Sequence, residues 1–208
     1  MSYAELITKL TAAVDIAGNV ILDIKAKNPT HKTKSDGSPV TIADHAAQEI
    51  LLTALNKICP EIPVVSEENI ESHALASCRQ FFLVDPLDGT KEYLKANDSG
   101  AFTVNVGLIE NNLPVMGIIF APALDSFYWG YTGGGAFMRL SQNVTPIRVR
   151  EVPDSGAMAV VSSSHLDDVT TNWLTNNHVN QITHIGSSIK FALVAAGQAD
   201  VYPRFAPT

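Results

Sequence analysis

The chain lacks any apolar run approaching the roughly 20 residues that span a bilayer, and nothing near its start resembles a secretory signal. It has little cysteine: Cys59 and Cys78 are the only two, with no metal-ligand spacing between them. A disulfide framework is therefore not expected, both residues read as small core side chains, and a reducing cytoplasmic setting fits best. It is also short of positive charge, with 14 Lys and Arg against 21 Asp and Glu and a formal net charge of -7. Without a basic stripe to neutralise a phosphate backbone, a nucleic acid polymer is not an expected partner. A small anionic substrate remains compatible with an acidic chain, because a bound metal inverts the local field. No internal repeat or low-complexity linker divides the sequence. With 208 residues and 46% hydrophobic content, it can bury a sizeable core.

The organising stretch is Phe81-Phe82-Leu83-Val84-Asp85-Pro86-Leu87-Asp88-Gly89-Thr90-Lys91-Glu92. Four apolar residues before a Pro/Gly turn predict a buried strand that delivers two carboxylates and a hydroxyl to a sheet edge. Pro86 withholds a ladder donor, so the chain is expected to leave the sheet there. Gly89 permits a backbone shape or close approach that a Cβ would obstruct. Two carboxylates in one small site repel unless a proton or cation intervenes, and hard oxygen donors suit Mg²⁺. A lone Asp-Gly would read more simply as an Asx-type turn. Upstream, Ile62-Pro63-Val64-Val65-Ser66-Glu67-Glu68 is a second short apolar run that empties into acids, and two such strands point to a shared site at one edge.

Elsewhere, Leu6, Leu10, Val14, Ala17, Ile21 and Ile24 recur at helical spacing and predict a long amphipathic N-terminal helix. Lys32 to Pro39 is polar and turn-rich and reads as a loop; composition leaves a plain connector and a positively charged flap equally open. Thr41 resembles an N-cap, with Asp44 in the first turn of the helix that follows, where it would complement the helix dipole. Residues 102–109, 114–120 and 126–131 predict consecutive antiparallel strands. Gly133-Gly134-Gly135 reads as a tight hairpin, since it lacks the lysine of a P-loop. Residues 158–162, 165–175, 182–185, 187–196 and 199–202 alternate strand with helix. The six histidines show no ligand pairing, and Ser162-Ser163-Ser164-His165 lacks the framing of a serine-hydrolase elbow.

Ser66-Glu67-Glu68 followed by Asp85-Pro86-Leu87-Asp88-Gly89-Thr90-Lys91-Glu92 resembles the lithium-sensitive, Mg²⁺-dependent phosphatases of the inositol monophosphatase superfamily. Ser38-Pro39-Val40-Thr41-Ile42-Ala43-Asp44, Phe102-Thr103-Val104-Asn105, Gly186-Ser187-Ser188-Ile189-Lys190-Phe191 and Val201-Tyr202-Pro203-Arg204-Phe205 extend the match nearly end to end, most closely to the bacterial 3'(2'),5'-bisphosphate nucleotidases. Haloacid-dehalogenase-like phosphatases, with Asp-x-Asp-Gly-Thr, are set aside by the extra residue between Asp85 and Asp88.

The resemblance implies an α/β (α+β) fold, a layered α-β-α-β-α sandwich of the inositol monophosphatase and fructose-1,6-bisphosphatase type. It would form one domain over 1–208, with a metal-site lobe over 1–150 and an incomplete second layer over 151–208. It implies two or three Mg²⁺ ions on Glu67, Asp85, Asp88 and the Leu87 carbonyl, with Asp44, Glu67 and Thr90 catalytic and Asp44 accepting a hydrogen bond from Thr90. Glu67, Leu87, Asp88, Gly89, Thr90, Gly186, Ser187, Ser188, Lys190 and Arg204 would bind a small phosphorylated nucleotide, and the loop at 32–39 would help organise a metal site. The implied reaction converts 3'-phosphoadenosine 5'-phosphate to AMP and phosphate, a clearance step in sulfate assimilation. The implied setting is cytoplasmic, as monomer or homodimer, with peripheral placement on the inner membrane's cytoplasmic face left open. Two departures bear on activity. The bacterial relatives carry glycine where this chain has Ala206, and they continue past Pro207-Thr208 into a Trp-Asp motif that completes the metal site. An inositol monophosphatase-type sugar phosphatase and a truncated, inactive nucleotide or metal binder are the alternatives.

Overall fold

Two long helices form because their sequences supply both a stop and a stripe. In the computed structural model, which describes residues 1–27, 30–33, 39–95, 100–163 and 166–205, α1 spans Tyr3–Lys25. Ser2 caps it: the hydroxyl accepts the Glu5 N–H at 3.3 Å, and the Glu5 carboxylate accepts the Ser2 N–H at 2.8 Å. Leu6, Leu10, Val14, Ala17 and Ile21 bury one face. Helix α2, Ile42–Ile58, has the same device, with Thr41 as cap and Asp44 reaching back.

Both helices lie on a seven-stranded sheet made by β3 (Val64–Ser66), β4 (Gln80–Asp88), β5 (Thr103–Glu110), β6 (Leu113–Ala121), β7 (Ser126–Tyr131), β8 (Gly135–Leu140) and β9 (Asn143–Ile147), in that spatial order. Strand β3 runs parallel to β4, and every later pair is antiparallel. Phe82, Val84, Val104, Val106, Leu108 and Ile118 form the core with α1 and α2. Burying a side chain of that size contributes about 1.5–3 kcal/mol relative to leaving it in water.

On the sheet's other face, α5 (Ile189–Ala195) packs Ile189 against Ala101 and Ala121. Beyond it, β10 (Ala157–Ser162) and β11 (Val179–Ile185) pair in parallel across α4 (Asp168–Asn176). Leu174 and Trp173 of α4 pack on Ala159, Val161 and Val179. The layers therefore run α, β, α, β, α, as the resemblance implied. No helix among the described residues is long and apolar enough to cross a membrane.

The structure departs from the sequence reading in four places. Strand β4 does not end at Pro86 but continues to Asp88, because a register irregularity between Asp85 and Asp88 accommodates the missing donor. The expected loop at 32–39 includes parts of two short strands, β1 (His31–Thr33) and β2 (Pro39–Thr41), paired antiparallel; Lys34 to Ser38 lie outside the described residues. The expected strand at 199–202 is reduced to one bridge, Val201 to Ala159, since Pro203 has no N–H to continue a ladder. Strands β8 and β9 were not anticipated; the first follows the expected hairpin at Gly133 to Gly135. Ser164, His165 and Ala206 also lie outside the described residues. Cys59 is buried, Cys78 is half-buried, and both are free thiols.

Candidate active site

Two strands bring carboxylates to one edge. Because β3 and β4 are parallel, both end on the same side of the sheet, and the Glu67 N–H extends their ladder by donating to the Val84 carbonyl at 3.0 Å. Glu67 thus follows directly beside Asp85. In a regular strand, Asp85 and Asp88 would face opposite ways, since side chains alternate with period two. Here Asp85 pairs with Asn105 and Asp88 with Thr103. Pro86 and Leu87 therefore oppose Val104 alone, and the bulge returns Asp88 to the face of Asp85. That face lies away from α1 and α2, because Val84 points into their core.

The crowding shows in proton affinity. The Asp85 carboxyl is pushed well above the usual carboxylate range, by burial first, then by the charges of Asp88 and Glu67 and a hydrogen bond with Glu67. The Leu87 N–H, donated to Asp85 Oδ1 at 3.1 Å, opposes this. Asp85 thereby makes an Asx turn over Pro86, three residues before the Asp88-Gly89 position where the simpler reading put one. Asp88 is pushed up by burial, while the Ser188 N–H and Lys190 pull it back and Glu67 and Glu92 raise it. Among the described residues, no group of three or more His, Cys, Asp or Glu side chains is arranged so that it could hold a metal ion. The charge of Glu67 nonetheless helps to raise the proton affinity of both Asp85 and Asp88, and hard carboxylate oxygens gathered in this way suit Mg²⁺.

Thr90 opens a four-residue helix, α3 (Thr90–Tyr93), after Gly89 at φ 86°. Its hydroxyl lies 3.4 Å from Asp44 Oδ1 and 3.1 Å from the Leu87 carbonyl. Asp44 is 1% exposed. Its Oδ2 accepts the Thr41 N–H at 2.7 Å and the Thr41 hydroxyl at 2.8 Å. Capping and pairing thus use different oxygens of one carboxylate, so the helix cap orients the atom that meets Thr90. Burial, then the Asp44 charge, pushes the Tyr93 hydroxyl up to about 12. Lys25, at the end of α1, donates to the carbonyls of Tyr93 and Lys95 and lies 5.0 Å from the centre of the Tyr93 ring.

The turn Gly186-Ser187-Ser188 closes the site from the second layer. The Ser188 N–H donates to Asp88 Oδ2. Its hydroxyl donates to Asn105 Oδ1 at 2.6 Å and meets the Thr103 hydroxyl at 2.8 Å. Ser187 sits in left-handed backbone at φ 52°. Gly186 presses on Glu92: a Cβ there would lie 2.5 Å from Glu92 Cγ. Lys190 is buried, donates to the Ser187 carbonyl and stacks 5.3 Å from the Tyr202 ring centre. Burial lowers its proton affinity while Asp88 and Glu92 raise it. Arg204, half-buried, acts electrostatically on Lys190 and Asp167. The structure thus brings Asp44, Glu67, Asp85, Leu87, Asp88, Gly89, Thr90, Gly186, Ser187, Ser188 and Lys190 around one edge. Glu92, Thr103, Asn105 and Lys25 were not assigned to the site from sequence. The available signal was the pair Thr103 and Asn105, polar at period two within an apolar strand.

A carboxylate cluster beside a carboxylate-backed hydroxyl, at the edge of a five-layer sandwich, is compatible with a phosphoric monoester hydrolase, the class that the relatives indicate. The inositol monophosphatase family model matches residues 2–208. The 3'(2'),5'-bisphosphate nucleotidase CysQ of Salmonella typhimurium is 43% identical over 195 residues, covering 92% of this chain and 77% of that protein. Its namesake in Buchnera aphidicola is 36% identical, covering 99% and 77%. Among solved structures, CysQ from Bacteroides thetaiotaomicron superposes with TM-score 0.81 at 36% identity, covering 98% of this chain and 81% of that one. The chain belongs to the inositol monophosphatase family.

Proposed function

We infer that the chain is a 3'(2'),5'-bisphosphate nucleotidase that hydrolyses 3'-phosphoadenosine 5'-phosphate to AMP and phosphate. The observation that carries the reading is the bulge in β4, which sets Asp85 and Asp88 on one face beside Glu67, with the hydroxyl of the Thr90–Asp44 pair 3.1 Å from the Leu87 carbonyl of that bulge. The choice of a nucleotide rests on the relatives named above and on the Gly186 to Arg204 segment. Two or three Mg²⁺ ions fit the donor set of Glu67, Asp85, Asp88 and the Leu87 carbonyl. When bound, they would supply the positive charge that offsets the phosphate oxygens and makes water more acidic.

The chain's own groups then handle orientation and the proton. Thr90 Oγ1 accepts a hydrogen bond from the attacking water and passes its own proton toward Asp44 Oδ1, with Glu67 as the second acceptor. Asp44 stays oriented because its other oxygen is fixed by the helix cap. Water adds to phosphorus in line with the departing ribose oxygen; the P–O bond to that oxygen breaks and a proton returns to it. No phosphoenzyme forms. The backbone of Gly89 and Thr90 flanks the phosphate, while Ser187, Ser188, Lys190 and Arg204 face the remainder of the nucleotide. The protein acts in the cytoplasm as monomer or homodimer.

Phosphate release from 3'-phosphoadenosine 5'-phosphate and from inositol 1-phosphate tests the reading. A kcat/KM at least tenfold higher for the nucleotide is expected. Preference for the inositol ester would make the chain a sugar phosphatase instead, and release from neither would leave a binder.

A further inference from the structure

Strand β5 carries two polar side chains where its alternation would allow apolar ones. Thr103 is fully buried and Asn105 is half-buried, and they face the sheet side of Asp88 and Asp85, their register partners. A buried hydroxyl left unpaired costs about 1–3 kcal/mol, so its partners indicate what the position is for. Asn105 Nδ2 donates to Thr103 Oγ1 at 3.3 Å, and Ser188 Oγ donates to Asn105 Oδ1 at 2.6 Å. With the Ser188 proton committed to Asn105, the 2.8 Å contact between the two hydroxyls has Thr103 as donor. Each hydroxyl then donates once and accepts once within a three-membered ring, and hydrogen bonds in such a ring polarise one another.

The ring does not touch the reacting centre, but its third member does. The Ser188 main-chain N–H donates to Asp88 Oδ2, across 100 residues of chain. Ser188 follows Ser187, whose left-handed backbone has no glycine to make it inexpensive. Contacts from outside the turn hold that shape, and from the large sheet the ring reaches it alongside the Asp88 carboxylate.

The geometry points to Asn105 as a positioning residue: through Thr103 and Ser188 it fixes the Asp88 carboxylate and the Gly186-Ser187-Ser188 turn in one relation. The carboxylate that would hold a cation and the turn that would face the nucleotide are thereby tied together. The inference rests on the reading of Asp85 and Asp88 as Mg²⁺ ligands. Removing a hydrogen-bonded support behind a ligand typically costs about 10–100-fold in metal affinity.

Calorimetric titration of the substrate-free protein with Mg²⁺ tests it, at a temperature where circular dichroism shows each variant folded. Asn105→Ala and Thr103→Val are each expected to weaken Mg²⁺ binding about tenfold. Thr103→Ser, which keeps the hydroxyl, restores it. The double variant should lose no more than either single one, because both break the same ring. Wild-type Mg²⁺ affinity in folded Asn105→Ala, or full additivity in the double variant, overturns the inference; if Asn105→Ala does not fold, Thr103→Val decides by the same criteria. Mg²⁺ binding that is abolished by Asp85→Asn yet untouched by both ring variants overturns the ring alone. Binding that Asp85→Asn leaves unchanged overturns the ligand reading with it.

Discussion

Gly89→Ala is the sharpest single perturbation of the site. Gly89 sits at φ 86°, and a Cβ there would lie 2.9 Å from the Ala101 carbonyl oxygen and 3.1 Å from Ser187 Cβ. Left-handed backbone costs an L-residue about 1–2 kcal/mol. Forcing a methyl into close-packed backbone adds about 1–3 kcal/mol, because the Ala101 carbonyl cannot swing aside like a side-chain tip. The expected loss is about 2–5 kcal/mol. Unfolding entropy near 2.1 cal/mol/K per residue converts this, for 208 residues, to a drop in Tm of roughly 5–10 °C. Relaxation would shift the Gly89-Thr90 backbone against the Ser187 turn or the Ala101-Phe102 backbone, and movement on the Thr90 side would lengthen its 3.4 Å approach to Asp44. Displacement of about 1 Å can cost roughly 100-fold in rate. Thermal unfolding by circular dichroism and kcat for phosphate release are the two readouts. A Tm within 2 °C of wild type, by a conservative margin of about 1 kcal/mol, together with unchanged kcat, would refute both the strain and its link to the Thr90 hydroxyl.

Asp85 gives a stability prediction of opposite sign to its role in activity. Its folded-state proton affinity is raised, so below the unfolded carboxylate value of about 3.9 its contribution is fully present. Between that value and the raised one, the folded state holds a proton that the unfolded chain has released, so stability falls as pH rises. The metal-free protein should therefore lose Tm from about pH 4 upward through the raised value, and Asp85→Asn should flatten that decline; a wild-type profile in the variant would contradict it. Thr90→Val, nearly isosteric, should lower kcat about 100-fold or more with little change in Tm; equal kcat would remove Thr90 from the proton path. Gly186→Ala would place a Cβ 2.6 Å from Glu92 Cδ, and overpacking by about 1–3 kcal/mol is expected, read as a lowered urea midpoint; an unchanged midpoint would mean that Glu92 swings away freely.

What the sequence disclosed and what it hid divide along one physical line. The stripe from Leu6 to Ile21, the Thr41 cap and the apolar run into Asp85 depend on neighbours within a turn or two of chain, and each was legible. So was the family likeness of Glu67, Asp85, Asp88 and Thr90. The bulge was not. Pro86 looked like an exit from the sheet, and only the register of Asn105 and Thr103 on another strand reveals that β4 continues with one extra residue. Thr103 and Asn105 were visible as a motif, but their partner Ser188 stands more than 80 residues away. Lys190 was legible as a candidate for the nucleotide side of the site, but its burial against Tyr202 and near Asp88 and Glu92 arises from the packing of α5 and not from its own sequence context. Strands β8 and β9 are mostly exposed or half-buried, so their residues show little of the alternation that reports a buried face.

Phosphate release from 3'-phosphoadenosine 5'-phosphate, followed against Mg²⁺ concentration for the wild-type chain and for Asp85→Asn, tests most directly that this carboxylate edge is a metal-dependent phosphatase site. The account predicts saturable Mg²⁺ dependence in the wild type and loss of at least 100-fold in rate in the variant, of the order seen when a ligand's support alone is removed. Release that is independent of Mg²⁺, or that survives in Asp85→Asn, would contradict it.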